Sequence, residues 1–108
     1  MAEISWTGAE KKIARRVFDK ALENELAEIM MKFKKKAQEA KVMDDIWKTK
    51  DYLIKAQNEI NRKYDFRYSV LGIVFGVLLR EKRIAEHDLN GLSLEKINMI
   101  IGISKIKV

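Results

Sequence analysis

The chain has 108 residues, five glycines, no proline and no cysteine, and a formal net charge of +6. That length suits one domain, the lack of proline suits long helices, and the lack of cysteine excludes disulfides, thiolate nucleophiles and sulfur-ligated metals. The positive balance points to an acidic partner, whether a protein, a nucleic acid or an anionic membrane surface.

Met1-Ala2-Glu3-Ile4-Ser5-Trp6 has no basic stretch leading into an apolar core, so a signal peptide is not expected. Thr7-Gly8-Ala9-Glu10 has the capping-box form and predicts a helix start. From there Ile13, Val17, Ala21, Leu22, Leu26, Ile29, Phe33, Ala37 and Ala40 recur mostly at steps of three and four, which predicts one long amphipathic helix. The pattern weakens at Lys41-Val42-Met43, and Asp44 or Asp45 can cap a second helix. Its stripe is Ile46, Leu53, Ile60 and Tyr64, with Trp47 and Ile54 beside it. Lys50 and Gln57 are polar at seam positions that are ordinarily apolar, a local rule broken in a way that marks interfaces.

Asp65 can cap a third helix, from Phe66 to about Lys82, apolar nearly all round and so expected at the centre of a compact head. The apolar run from Val70 to Leu79 is far short of the ~20 residues of a membrane span. A short helix over Ile84–Leu89 should stop at Asn90-Gly91. Ser93 should cap a last amphipathic helix carrying Leu94, Ile97, Ile100 and Ile101. Lys105 and Lys107 read as a frayed end. The expected fold is all-α: a single helical domain over 1–108, with a long-helix stalk over about 7–64 and a helical head over about 65–108. Two long helices leave apolar faces uncovered, and a symmetric dimer through them is the usual remedy.

Catalytic machinery is missing. There is no Gly-x-Ser-x-Gly elbow, phosphate loop or dinucleotide fingerprint. His87 is the single histidine, and with no second histidine or cysteine it reads as a solvated side chain rather than a zinc ligand. No catalytic, metal or cofactor residue is assigned, and no enzyme is expected. Lys32, Lys34, Lys35 and Lys36 spread around a helix and read as a solvated face rather than a phosphate-binding stripe.

Trp47 is the residue of interest. A tryptophan on a helix is core by default. Trp47, Lys50, Asp51, Ile54 and Asn58, however, share one face with Gln57 at its edge. An aromatic ringed by polar groups is the make-up of an interface hot spot. The six residues are therefore the candidate partner-binding or dimer-interface set.

The block from Asp44-Asp45-Ile46-Trp47 through Asp51-Tyr52-Leu53, Glu59-Ile60 and Lys63-Tyr64-Asp65-Phe66-Arg67-Tyr68 to Leu71 resembles the fluorescence recovery protein family. The likeness returns in Asp88-Leu89-Asn90-Gly91-Leu92 and Lys96-Ile97, and is thin in the first helix beyond Trp6 and Glu10. It implies an all-helical homodimer without cofactor; the missing signal peptide and membrane span read separately as a cytoplasmic protein. Such a dimer binds the light-activated orange carotenoid protein, chiefly its C-terminal domain, and speeds its return to the resting orange form, ending antenna quenching. It also places Trp47 and Asp51 near the dimer interface. Four positions depart. The family generally has His at Lys50, Arg at Gln57, an aromatic at Ile73, and Glu-Gly where this chain has Glu81-Lys82-Arg83. These departures suit a divergent or non-cyanobacterial homologue, whose client would be that protein or a related one. The competing expectations are a dimeric interaction protein for another client and a small basic nucleic-acid binder using the last two helices.

Overall fold

The computed structural model describes residues 5–106; the N-terminal tetrapeptide and Lys107 of the sequence analysis lie outside them. α1 (Gly8–Glu39), α2 (Met43–Lys63), α3 (Leu71–Arg80), a 3-10 turn (Glu86–Leu89) and α4 (Leu94–Ser104) follow in chain order. The fold is all-helical and elongated, 55 × 25 × 20 Å. α1 alone accounts for about 48 Å of that length at 1.5 Å per residue. No helix among the described residues is long and apolar enough to cross a membrane.

The start of α1 is doubly tied. Glu10 N–H donates to Thr7 Oγ1 at 3.1 Å, and Thr7 N–H donates back to Glu10 Oε1 at 3.0 Å. α2 begins two residues earlier than an Asp44 cap would place it, with Val42 as the flanking residue. Asp45 is still the capping group, but from inside the helix: its Oδ2 accepts from the backbone N–H of Lys41 at 2.9 Å and of Val42 at 3.3 Å. Those bonds hold its carboxyl below the ordinary carboxylate range.

The third helix is shorter than the sequence predicts. Asp65 does not cap it, because its carboxylate is taken by Arg67 in a forked pair at 2.6 to 3.0 Å. Residues 64–70 run instead as an irregular strap whose aromatic rings clamp α1. Phe66 and Tyr64 meet Phe18 edge-on at 5.0 and 5.4 Å, and Tyr68 lies against Trp6 at 6.1 Å. α3 ends at Arg80 with Lys82 in the left-handed region, φ 62°. Arg83 N–H donates to Leu78 O and Lys82 N–H to Leu79 O, the paired closure in which glycine is favoured at the left-handed residue. The predicted short helix is a single 3-10 turn, followed by Gly91 at φ 102°. Ser93 Oγ caps α4 by accepting from Lys96 N–H at 3.2 Å.

The core lies in the head. Leu71, Val74, Phe75 and Leu78 of α3 pack with Ile84, Leu89, Leu92 and Ile100 against Trp6, Ala14, Val17, Phe18 and Ala21. The opening turns of α1 therefore build the head as well as the stalk. Phe75, Leu71, Leu78, Leu89 and Ile100 are fully buried, worth about 1.5–3 kcal/mol each. α3 is not buried all round, since Ile73 is 56% exposed. Two glycines of α3 admit α4 closely: a Cβ at Gly76 would overlap Ile103, and one at Gly72 would meet the flexible end of Met99.

Candidate partner interface

Beyond the contacts of Glu81 and Arg83 with Glu25, Glu28 and Lys63, the stalk is a two-helix hairpin with no third layer among the described residues. On α1, Leu26, Met30 and Phe33 are exposed, a stripe at steps of four and three. On α2, Ile46, Trp47 and Ile54 are exposed, Trp47 at 53% and Ile54 at 50%. Trp47 is thus not core. Lys50, Asp51, Gln57 and Asn58 are exposed with it. The side of α2 facing α1 carries the buried Thr49, whose hydroxyl donates to Asp45 O at 2.8 Å, and the half-buried Tyr52, Leu53, Ala56 and Ile60.

The candidate residues fall into two subsets. Lys50 Nζ lies 5.5 Å from the Trp47 ring centroid and 3.9 Å from Asp51 Oδ1, so the cation bridges the indole face and the carboxylate. Asp51, Ile54 and Asn58 line a shallow, open depression of about 360 Å³ together with Lys55, Glu59 and Arg62. Gln57 lies outside that depression. Charged and amide groups thus rim an exposed apolar strip, with no nucleophile or acid–base pair assembled on it. Among the described residues no His/Cys/Asp/Glu group is arranged to hold a metal ion. The His87 side chain is 79% exposed, with Nε2 3.5 Å from Asp88 Oδ1. Of the Lys32–Lys36 cluster only Lys36 lies in the last turn of α1, where the helix dipole favours a cation, and its Nζ lies 5.2 Å from the Tyr52 ring.

Sequence reasoning missed a buried ionic clasp at the base of the stalk. Glu25 and Lys63, whose side chains are 8% and 6% exposed, pair at 2.8 Å, and Lys63 Nζ also meets Glu81 at 2.7 Å. Tyr64 OH donates to the other Glu25 oxygen at 2.7 Å. Burial and that bond push the phenol above its ordinary value. Arg83 Nη1 donates to Glu28 at 2.7 Å, while its Nε sits 3.0 Å from Glu25 Oε1, close enough for charge attraction but not aligned for a hydrogen bond. Glu25 lies beside the unbroken stripe Leu22–Leu26–Ile29 of α1, so the sequence carries no local sign of the clasp. A second missed feature is a groove on the head of about 330 Å³, lined by Trp6, Tyr68, Ser69, Gly72, Ile73, Met99 and Ile103.

Comparison with known proteins gives a consistent result. The family described as photoprotection regulator fluorescence recovery protein matches residues 6–104. The fluorescence recovery protein of Synechocystis sp. is 33% identical over 105 residues, spanning 97% of this chain and 96% of that protein. The solved fluorescence recovery protein of Fremyella diplosiphon superposes with a TM-score of 0.92 at 31% identity, covering 94% of this chain and 100% of that one. The Synechocystis structure gives 0.91 at 32% identity with the same coverage.

Proposed function

The chain belongs to the fluorescence recovery protein family, and we propose that it is a non-enzymatic, cytoplasmic regulatory protein that binds the photoactivated orange carotenoid protein and speeds its return to the orange form. The observation carrying this reading is the match to a photoprotection regulator along residues 6–104, joined to an exposed aromatic face on α2 fitted for protein contact. A protein of this kind works by affinity difference: it binds the resting-like form, or the passage toward it, more tightly than the active form.

The reading includes a homodimer through the stalk. Its support is the pair of uncovered apolar stripes, Leu26–Met30–Phe33 and Ile46–Trp47–Ile54, on a hairpin with no third layer. Light scattering after gel filtration at micromolar concentration should give twice the 12.6 kDa chain mass; a monomer at that concentration refutes the dimer. The functional test is to add the protein in the dark to an illuminated carotenoid protein and follow the absorbance back to orange.

The second reading, a dimeric interaction protein for another client, draws on Lys50 and Gln57. Lys50 is a compact cation that already engages Trp47 and Asp51. Gln57 lacks the forked, permanently charged donor set of an arginine. Dimerisation without acceleration of any carotenoid protein's return favours this reading. Nucleic-acid binding through the last two helices is disfavoured, since Lys96 of α4 is buried and paired with Glu10 at 3.0 Å.

A further inference from the structure

The opening turns of α1 carry Lys11, Lys12, Arg15 and Arg16, all exposed. Lys11 stands at the end of the first turn of α1, where the dipole opposes a cation, and Lys12, Arg15 and Arg16 follow it. The first-turn acid that would offset them, Glu10, is buried and committed to Thr7, Ser93 and Lys96. Lys11 with Arg15, and Lys12 with Arg16, are like-charge pairs four residues apart, which destabilise a helix. A charge arrangement that works against its own helix points to use outside the fold.

The cations are also held in place. Arg15 Cζ lies over the Phe66 ring, 3.6 Å from its centroid, and Lys11 Nζ lies 4.9 Å from the Tyr68 ring centroid. Stacking fixes the guanidinium plane and leaves its edge free for paired bonds to a carboxylate. Asp19 reaches Arg15 at a weak 3.4 Å. Among the described residues, no carboxylate lies within ion-pair distance of Lys11, Lys12 or Arg16.

We propose that this cationic, aromatic-backed face of α1 docks an acidic segment of a partner protein, its carboxylates seated on Lys11, Lys12, Arg15 and Arg16. The patch is short, about 8 Å from Lys11 to Arg16 along the helix and about 14 Å if the exposed Lys20 is added, and it is interrupted by Asp19 and followed by Glu23. That span suits two or three carboxylates spaced a turn apart and is too short and too interrupted for a phosphate backbone. The half-buried Phe66 ring is covered by Arg15 and offers a base no open face, and the exposed Tyr68 ring is partly covered by Lys11. No exposed aliphatic side chain lies within the patch to enter a bilayer. The surface lies at the head end of α1, away from Trp47 near the stalk turn, so its occupancy is independent of what covers α2.

The test uses a fluorescently labelled helical peptide carrying Glu at every fourth position, with anisotropy read at low and moderate salt. The full chain should bind it, more weakly as salt rises. Lys12→Glu with Arg16→Glu, neither of which touches the rings, should weaken binding about tenfold or more. Lys34→Glu with Lys35→Glu makes the same net change at the other end of α1 and should leave binding within about twofold. Circular dichroism verifies that both variants keep their helices; if the first does not, Lys12→Gln with Arg16→Gln takes its place. The proposal is overturned if the peptide does not bind, if both variants lose binding equally, or if single-stranded DNA or anionic vesicles bind the same four residues more tightly than the peptide.

Discussion

Replacing Glu10 by Gln should be among the most damaging single changes in this protein, although it alters no shape. The Glu10 carboxylate closes three contacts: it accepts from Thr7 N–H at 3.0 Å, from Ser93 N–H at 2.8 Å and from Lys96 Nζ at 3.0 Å. Both residues of the Glu10–Lys96 pair are about 5% exposed. Gln must turn an NH2 group toward one of these donors, and it strands a buried ammonium. Orphaning one member of a buried pair costs about 3–5 kcal/mol, a large share of a typical total of about 5–15 kcal/mol. Tm should fall by at least about 12 °C. Glu10→Gln combined with Lys96→Met should recover much of the loss, because the orphaned charge goes with its partner.

The pH dependence follows with a definite sign. Bonds from Thr7 and then Ser93, with Lys96 added, hold Glu10 down from the ordinary 4.5 to about 2. A carboxyl with a lowered folded value contributes its stability above its unfolded value and loses it as pH falls. The wild-type chain should therefore lose stability between about pH 4.5 and 2, and Glu10→Gln should flatten that part of the profile. Urea unfolding at neutral and acid pH reads both effects. A cost below about 1 kcal/mol at neutral pH would refute the reasoning, since it lies beneath the penalty for an unsatisfied buried charge.

Lys82→Gly should stabilise the chain by about 1 kcal/mol, because Lys82 holds φ 62° at the end of α3 and only glycine adopts that region freely; thermal unfolding checks it. Gly76→Ala should cost about 1–3 kcal/mol, since its Cβ would overlap Ile103 and sit 3.3 Å from the Ile100 carbonyl, while Gly72→Ala should cost less because the Met99 terminus can move aside. Trp47→Ala should weaken self-association or client binding by about 2–4 kcal/mol with helical content unchanged; analytical ultracentrifugation and far-ultraviolet dichroism read the two quantities.

Much of the fold was legible because its signals are local. The capping box at Thr7 and Glu10, the Ser93 cap and the long period of α1 each depend on residues within a turn or two. What failed depends on partners that periodicity does not show, two residues away for Asp65 and far along the chain for the clasp. Asp65 has the chemistry of a helix cap, yet Arg67 takes its carboxylate and the rings of Phe66 and Tyr68 are drawn onto α1, so α3 starts at Leu71. Lys82 offers no composition cue for a left-handed turn. The ionic clasp joins Glu25 to Lys63, Tyr64 and Arg83 across 38 or more positions, beyond the reach of any periodicity. The residues picked on α2 were legible through one broken rule, polar groups on an apolar seam. The cations of Lys11 to Arg16 do not stand out in the sequence, because the rings of Phe66 and Tyr68 that back two of them come from the strap beyond the far end of α2.

The most direct measurement of the central claim is the dark return of an illuminated orange carotenoid protein to its orange form as this chain is titrated in. The account predicts a rate that rises with concentration and saturates, falls with Trp47→Ala, and rises with Lys50→His combined with Gln57→Arg. The regained contact is worth about 1–3 kcal/mol, or roughly one to two decades in affinity. A rate equal to that of the carotenoid protein alone at every concentration, for the wild-type chain and the double replacement alike, would contradict it.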